Sequence, residues 1–332
     1  MAQTGLTTNS AETVKLWNEK LFRDTVKASY FSRFMGTGSD SIVQVKTDLE
    51  SGKGDRVRFA IRMRLTGAGV SEGQTLEGNE ENLVSHTTNL TLKQWRHGVR
   101  DDGAMTRQRA MYNVPEESRS ALKDRSTEKI DQECFDAYNN TAATKTFWAS
   151  TASSDATLTT SMLFTPSLIS KVKAWAKTGG DRSQTPLRPV RINGKDHFVM
   201  LIHPDVAYDL KQDTTWNNAQ QNANIRGNGN PIFDGALGMW DNVIVHEHEN
   251  VPIVTNFGSG ANVPGAKCLF LGAQSLLWAW GKRPTVKAKT FDYDDQEGYG
   301  TSMIYDVAKP VFNSLDFGSI AINVARTQIS DS

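Results

Sequence analysis

Two runs of alternating side chains in the first third of the chain predict a long β-hairpin. Over residues 56–66 every second side chain is apolar. Four of the intervening positions are basic: Arg56, Arg58, Arg62 and Arg64. Because successive side chains of a β-strand point to opposite faces, one face of this strand is predicted to be apolar and the other strongly basic. A second alternating run, over residues 84–95, supplies the returning strand.

A hairpin of two strands is too narrow to bury its own apolar face, and an isolated one is marginally stable in water. The first strand carries five apolar side chains, and burying each one contributes ~1.5–3 kcal/mol, roughly 7–15 kcal/mol in all. The covering surface is therefore either the rest of this chain or a neighbouring copy of it. The choice between these two alternatives decides what the protein does.

The segment between the two runs, residues 67–83, is acidic and rich in glycine, and is called the acidic loop below. It contains four glycines and no lysine or arginine. Its carboxylates are Glu72, Glu77, Glu80 and Glu81. A loop of this length without secondary structure of its own is usually functional or disordered. These four positions are therefore candidates for contact with a basic surface.

Length and composition exclude several classes of protein. The chain has 332 residues, enough for one large or two modest domains. Its 37 basic and 37 acidic residues give a formal net charge of zero. There is no global basic excess that would point to nucleic acid. No apolar run reaches about 18 residues, and the N-terminal residues lack an apolar signal core. We therefore expect a protein that is neither membrane-spanning nor secreted by the usual route.

Helices and strands are predicted to be mixed along the chain. A short amphipathic helix on an N-terminal arm is expected near residues 10–27, with Trp17, Leu21 and Phe22 on its apolar face. A long helix is expected over residues 116–140, and residues 214–232 are predicted to form a surface loop. Most predicted strands lie in the last 140 residues, so the fold class is α+β. The two cysteines are predicted to be core thiols. A helix that starts at residues 165–166 is expected to end at residues 179–180, and a two-residue hairpin turn is expected at residues 193–194. Separate strands are expected over residues 276–280 and 286–291.

Three histidines are the strongest candidates for a metal site. His246 and His248 lie on one face of a predicted strand, and His203 is available from another segment. A zinc site needs three or four convergent ligands, and no second ligand cluster is visible, so an exposed strand of alternating polar and apolar residues is favoured. A metal-dependent enzyme using these three histidines remains the alternative. No phosphate-binding, dinucleotide-binding or nucleophile-elbow motif occurs, and we predict no catalytic residue and no cofactor.

Two other charged segments have more than one interpretation. Residues 292–297 carry four carboxylates whose spacing does not match a calcium-binding EF-hand loop, and a polar hairpin turn is favoured. The four arginines of the first hairpin strand could bind nucleic-acid phosphates or an acidic protein surface. Nucleic-acid sites usually combine aromatic side chains with a broader basic patch, so the protein surface is at least as well supported.

The order of these segments resembles that of the major capsid proteins of tailed bacteriophages, over most of the chain. Three segments are similar to the start, tip and return of that family's extended loop: residues 52–59 (GKGDRVRF), 76–78 (LEG) and 94–98 (QWRHG). Three others resemble elements of its axial domain: residues 200–210 (MLIHPDVAYDL), 235–240 (GALGMW) and 269–276 (LFLGAQSL). The helix over residues 116–140 stands where the family has its spine helix.

The resemblance implies the tailed-phage major capsid fold, of class α+β, in five segments. These are an N-terminal arm (1–50), an extended β-hairpin loop (51–102), a peripheral domain with the spine helix (103–160), an axial domain (161–280) and return strands of the peripheral domain (281–332). It also implies a structural protein and not an enzyme. Pentamers and hexamers of the chain would build an icosahedral head that encloses the DNA genome.

The resemblance also implies partners and a location. The expected partners are further copies of the chain, a separate scaffolding protein, a portal, a candidate decoration protein, and packaged DNA contacted non-specifically. The protein would be part of the virion and would assemble in the host cytoplasm, without a membrane. An encapsulin-type compartment shares the fold and remains a second alternative.

In this interpretation the arm and the hairpin reach neighbouring copies. The arm would make contact through Trp17, Leu21 and Phe22. The apolar face of the hairpin is expected to pack on a neighbour. The acidic loop is expected to meet a basic surface there, for which the strand with the four arginines is a candidate.

Overall fold

The computed structural model describes residues 29–50, 52–62, 69–82, 85–111, 113–139, 143–180, 184–192, 194–221 and 236–329. The predicted N-terminal helix, with Trp17, Leu21 and Phe22, lies outside these residues, as does Arg64, and Arg62 is described by its backbone alone. The helices are α1 (Ala104–Arg109), α2 (Val114–Asn139), α3 (Pro166–Thr178), α4 (Pro204–Gln212) and α5 (Thr214–Gln221). Two 3-10 helices cover Tyr30–Phe34 and Asp155–Thr157.

The larger of the two main sheets has eight strands. Its order is β6 (Thr146–Trp148), β17 (Ser319–Ala325), β12 (Val263–Leu271), β8 (Lys195–Ile202), β10 (Val243–Glu247) and β9 (Gly238–Trp240). The remaining two strands, β7 (Val190–Ile192) and β11 (Ile253–Phe257), pair with β8 and β12. The sheet therefore takes strands from three of the five predicted segments, and the segment boundaries stay a prediction.

The second main sheet has five strands. Its order is β1 (Met35–Gly36), β2 (Val43–Lys46), β13 (Leu276–Phe291), β14 (Gln296–Ala308) and β5 (Lys93–Arg100). The predicted hairpin is a separate ribbon of β3 (Arg56–Arg62) and β4 (Ser85–Thr91), and β15 (Val311–Phe312) pairs with β16 (Leu315–Asp316). Two predicted strands, over 276–280 and 286–291, form the single strand β13, whose pairing with β14 is irregular between Trp280 and Thr285.

The long helix is confirmed as α2, which has 26 residues and is therefore ~39 Å long. Glu116 and Glu117 lie in its first turn, where their negative charge complements the helix dipole. Its sparse apolar stripe is buried: Leu122, Ile130, Cys134, Phe135 and Tyr138. A helix with one narrow apolar stripe can pack on one side only, and here that side faces the region between the two sheets.

The central strands of the eight-stranded sheet are covered on both faces. One face packs against α3, α4 and α5, and Cys268 and Phe270 of β12 lie in that core. The other face packs against α2, the first 3-10 helix and the five-stranded sheet, with Leu269 and Leu271 of β12 in the core. Both cysteines are fully buried free thiols, as predicted.

Three local predictions are confirmed. The hairpin centred on Gly194 forms from β7 and β8, and Gly194 adopts a positive φ of 77° that the turn requires. The segment after residue 291 is a hairpin turn, in which Asp292 and Asp294 have positive φ values. Helix α3 ends at Gly179, which has the left-handed conformation typical of a helix C-terminus.

Two local predictions are wrong. The run over residues 84–95 is not one strand, because β4 pairs with β3 whereas β5 pairs with β14. The predicted loop over 214–232 begins with helix α5. Asp213 Oδ1 accepts a hydrogen bond of 2.7 Å from the backbone N–H of Thr215, and the side chain of Trp216 is buried in the core. A capping aspartate followed by a buried tryptophan is the sequence signal for this helix.

Candidate assembly surfaces

The stem of the hairpin, β3 with β4, is covered by its own chain. Three of its apolar side chains are at most 3% exposed: Val57, Phe59 and Ile61. Val57 and Phe59 share a core with Leu277 and Ala279 of β13. The expectation that a neighbouring copy covers this face is therefore wrong for these residues. The covering strand lies near the other end of the chain, where no local pattern in the hairpin could reveal it.

The basic face of the stem is exposed. Arg56 and Arg58 both point into solvent, and neither forms an ion pair within the described part of the chain. Arg58 Nε donates a hydrogen bond of 3.4 Å to Asn89 Oδ1, and Lys46 Nζ donates one of 2.9 Å to the carbonyl oxygen of Arg58. Lys46 Nζ also forms an ion pair of 3.8 Å with Asp48 and lies 5.1 Å from the centroid of the Phe59 ring, so its charge does not add to the basic face.

The acidic loop is exposed over its described part, residues 69–82, except at the half-buried Val70. Glu72, Glu77, Glu80 and Glu81 are all exposed, as is Leu76 at the tip. The backbone N–H of Gly78 donates a hydrogen bond of 2.8 Å to Glu80 Oε2, which orders the turn locally. Among the residues described, no hydrogen bond or ion pair joins these carboxylates to Arg56 or Arg58 of the same chain.

The described chain begins at an anchor on the spine helix α2. The carboxylate of Asp131 accepts hydrogen bonds from Ser29 Oγ (2.7 Å) and from the backbone N–H groups of Tyr30 (2.9 Å) and Phe31 (3.1 Å). Asp131 is 8% exposed, so these bonds lie in a low-dielectric setting where they are strong. The anchor was not predicted from the sequence, although an aspartate beside the buried stripe of a helix is the signal that could have revealed it.

Two of the histidines proposed as metal ligands pack against this anchor. His246 is fully buried, with its ring centroid 5.3 Å from that of Phe34. The ring of His248 lies 4.4 Å from that of Tyr30 and 4.8 Å from that of Phe135. The predicted exposed strand is therefore wrong, because β10 lies between β8 and β9 and is buried. Burial lowers the pKa of His248, which favours the neutral ring.

The third histidine, His203, lies at the start of α4. Its Nδ1 accepts a hydrogen bond of 3.2 Å from the backbone N–H of Asp205, so it caps the helix. Burial lowers the pKa of His203 as well. Across the described ranges, no group of three or more potential metal ligands converges. In the same residues, no helix is long and apolar enough to cross a membrane.

Comparison with known proteins gives matches over nearly the whole chain. The family described as "Phage capsid protein" matches residues 5–147 and 137–327. The major capsid protein of Pseudomonas phage KPP25 is 30% identical over 372 aligned residues, which cover 96% of this chain and 96% of that protein. These matches span the arm, the hairpin, the spine helix and both sheets.

Solved structures show the same fold. The capsid of Ralstonia phage GP4 matches with a TM-score of 0.84 at 26% identity, over 100% of this chain and 97% of that one. The capsid of cyanophage Pam1 matches with a TM-score of 0.75 at 21% identity, over 91% and 93%. An encapsulin from Synechococcus elongatus matches more weakly, with a TM-score of 0.51 at 11% identity over 100% and 95%, and shows the shared fold alone.

Proposed function

The chain belongs to the phage capsid protein family, and we propose that its copies form the pentamers and hexamers of an icosahedral phage head around the DNA genome. The family is structural and not enzymatic, so the protein acts by burying surface between copies. One observation supports this role best. The chain closes its own core, including the hairpin stem, and yet holds four exposed glutamates on a loop beyond that stem.

The projecting parts are the proposed contacts between copies. The acidic loop (Glu72, Glu77, Glu80, Glu81) and the basic face of the stem (Arg56, Arg58, Arg62, Arg64) supply complementary charge. The N-terminal arm, with Trp17, Leu21 and Phe22, would leave the anchor at Asp131 and lie on a neighbour. Contacts in which one copy reaches onto the next are heterologous, and such contacts close into rings when the rotation allows it.

The remaining partners follow from this role. The relatives are capsid proteins, so the chain is part of a virion and associates with its own copies. We further propose a separate scaffolding protein, a portal and a decoration protein as partners, non-specific contact with packaged DNA, and assembly in the host cytoplasm. Co-purification from infected cells would identify each of them.

The central test is assembly of the purified chain with and without its acidic loop. The full chain is expressed alone and with candidate scaffolding proteins, and the products are examined by electron microscopy and sedimentation. We expect closed shells or capsomers from the full chain. In a second variant, residues 69–82 are replaced by a short Gly-Ser linker. This variant is expected to fold, because the hairpin stem packs on β13 of its own chain. It is not expected to assemble, because it lacks the proposed contact with the neighbouring copy.

Two results would count against this proposal. Monodisperse monomers of the full chain under every condition would contradict a capsid role. Intact shells from the loop deletion would contradict the role of the acidic loop, while leaving the family assignment in place. Circular dichroism of the deletion variant serves as the control for folding.

A further inference from the structure

Three connections carry the chain between the two main sheets, and two of them meet at a buried aspartate. The first leads from α2 to β6, the second joins β12 to β13, and the third spans residues 309–318 between β14 and β17. Asp316 of the third connection accepts a hydrogen bond of 3.0 Å from the backbone N–H of Thr144 in the first. The backbone N–H of Asp316 donates one of 2.6 Å to Thr144 Oγ1 in return. The first and third connections are therefore fixed to each other.

The second connection is held against the third as well. The backbone N–H of Gly272 donates a hydrogen bond of 2.9 Å to the carbonyl oxygen of Gly318. A Cβ atom on Gly318 would lie only 2.6 Å from the carbonyl oxygen of Gln274, so this close approach requires glycine. The three connections together are called the junction. A movement of one sheet relative to the other has to pass through these contacts.

The junction buries three charged side chains. Lys145, Lys309 and Asp316 are 1%, 6% and 2% exposed. Lys309 Nζ lies 3.1 Å from Asp316 Oδ2, so the charge of this carboxylate is compensated by Lys309. When Lys145 is also protonated, the cluster therefore has one positive charge in excess. A buried charge without a partner of opposite sign is unfavourable.

The excess charge falls on Lys145, whose Nζ bonds to a neutral group. It donates a hydrogen bond of 2.9 Å to the carbonyl oxygen of Thr185, in the segment between α3 and β7. Burial lowers the pKa of Lys145 from 10.5 to about 8, and the nearby charge of Asp316 opposes this change. Among the described residues, the charged groups beside Lys145 are Asp316 and, through it, Lys309. The observed position of the side chain therefore favours the neutral amine.

The same cluster contains an acceptor without a donor. Asp316 Oδ1 is buried and has no hydrogen-bond partner among the described residues. A buried carboxylate oxygen that lacks a donor is unfavourable. In the described arrangement no ion pair joins Lys145 to Asp316, although an ammonium group has three N–H donors. The junction therefore offers Lys145 a second acceptor that it does not use.

We propose that Lys145 is a two-position latch, which holds the carbonyl oxygen of Thr185 when its amine is neutral and pairs with Asp316 Oδ1 when it is protonated. The second position gives the unpaired oxygen a donor and places the ammonium beside a carboxylate. It also releases Thr185. Four flexible methylene groups carry the amine of a lysine, so Nζ can change acceptors while β6 keeps its place in the sheet. This inference goes beyond the proposed function, because it concerns the subunit by itself.

The proton selects between the two positions. A carboxylate favours the ammonium and a neutral carbonyl does so less, so the pKa of Lys145 is higher in the position next to Asp316. A pKa that differs by one between the two positions changes their ratio about tenfold. Lowering the pH through about 8 therefore favours Asp316, and raising it favours Thr185. The junction responds in a range of pH where an exposed lysine stays charged.

Hydrogen exchange of the unassembled subunit tests the latch. Two amides report on the segment that Thr185 belongs to. The N–H of Gln184 donates to the carbonyl oxygen of Gly179 (2.8 Å), and that of Leu187 donates to the carbonyl oxygen of Ala176 (2.9 Å). Their protection factors, corrected for the intrinsic effect of pH on exchange, are expected to fall about tenfold from about pH 9.5 to about pH 6.5. Protection factors that stay constant over this range would overturn the proposal.

Three variants identify the group that is responsible. Lys145→Met removes the ionisation at similar side-chain length and should make protection of the Thr185 segment independent of pH. Asp316→Asn removes the charge that receives the ammonium and should have the same effect, with circular dichroism as the check on folding. Lys211→Met is the matched control, because this lysine forms an exposed ion pair of 3.5 Å with Glu247, and it should behave like the wild type. A wild-type response in Lys145→Met would overturn the latch, whether or not Asp316→Asn folds.

Crystal structures of the wild-type subunit at about pH 6.5 and about pH 9.5 would show the two positions directly. Lys145 Nζ is expected within hydrogen-bond distance of Asp316 Oδ1 at the lower pH and of the Thr185 carbonyl oxygen at the higher pH. Nζ bonded to Thr185 at both values would contradict the inference. An ordered water molecule that donates to Asp316 Oδ1 at both values would contradict it too, because the oxygen would then have a permanent donor.

Discussion

The two main sheets differ in how their faces are covered. The central strands of the eight-stranded sheet are buried on both faces, by α3, α4 and α5 on one side and by α2 on the other. The five-stranded sheet is covered by α2 on one face, but the hairpin stem covers only part of the other. The first sheet is therefore buried on both sides in the subunit core, whereas the second keeps part of one face exposed.

The largest expected effect is in the eight-stranded sheet. Phe270→Ala removes a fully buried ring from β12, and we expect a loss of about 3–5 kcal/mol in the free energy of unfolding, measured by urea titration of the unassembled subunit. Tyr293→Ala is the control, since this side chain is fully exposed at the turn after β13, and it should change stability by less than about 0.5 kcal/mol. Equal losses for the two variants would show that burial in the eight-stranded sheet does not determine the stability of the subunit.

A smaller effect is expected at the anchor between the sheets. Asp131→Ala removes the acceptor of two backbone N–H groups and one hydroxyl, and we expect a loss of about 2–4 kcal/mol. Hydrogen exchange at the amides of Tyr30 and Phe31 should accelerate more than exchange in β12. Asp124→Ala, an exposed position on the same helix, should leave both measurements unchanged. If the amides of Tyr30 and Phe31 exchange as slowly in Asp131→Ala as in the wild type, the Asp131 carboxylate does not hold this segment in place.

A pH effect is expected beside the eight-stranded sheet, at Lys145. Its Nζ donates a hydrogen bond of 2.9 Å to the carbonyl oxygen of Thr185, and burial lowers its pKa from 10.5 to about 8. Between these values the unfolded chain binds more protons than the folded one, so the free energy of unfolding should rise with pH. Relative to Lys145→Met, the wild type should gain stability from pH 8 to pH 10. If the free energy of unfolding changes with pH in the same way in both proteins, the ionisation of Lys145 does not contribute to stability.

The smallest effect on stability is expected in the acidic loop. Replacing Glu72, Glu77, Glu80 and Glu81 by glutamine should change the free energy of unfolding by less than about 0.5 kcal/mol, because all four are exposed. The yield of shells should nevertheless fall, since the loop loses its charge at unchanged length. Raising the salt concentration should weaken wild-type assembly more than that of the variant. Equal salt dependence would mean that the loop does not act through its charge.

Local patterns were sufficient to predict some elements and not others. The spine helix and the turn at Gly194 depend on capping, periodicity and backbone preferences, which act over a few residues. The split between β4 and β5 and the burial of Phe59 depend on pairing with β14 and β13, far along the chain. The apolar stripe of α2 was sufficient to predict which side of the helix is buried. The hydrogen bond between Asp131 of this helix and Ser29 could not be predicted, because the two residues lie far apart in the sequence.

The sequence by itself determined the α+β class, the two-faced hairpin, the acidic loop and the resemblance to phage capsid proteins, because these follow from periodicity and residue order. Only the tertiary structure decided what covers the hairpin. The apolar face of its stem is closed by β13 of the same chain, while the cations of β5 and β13 come together across β14. Such a surface is assembled from strands distant in sequence, so its charge becomes visible only once the sheet has formed.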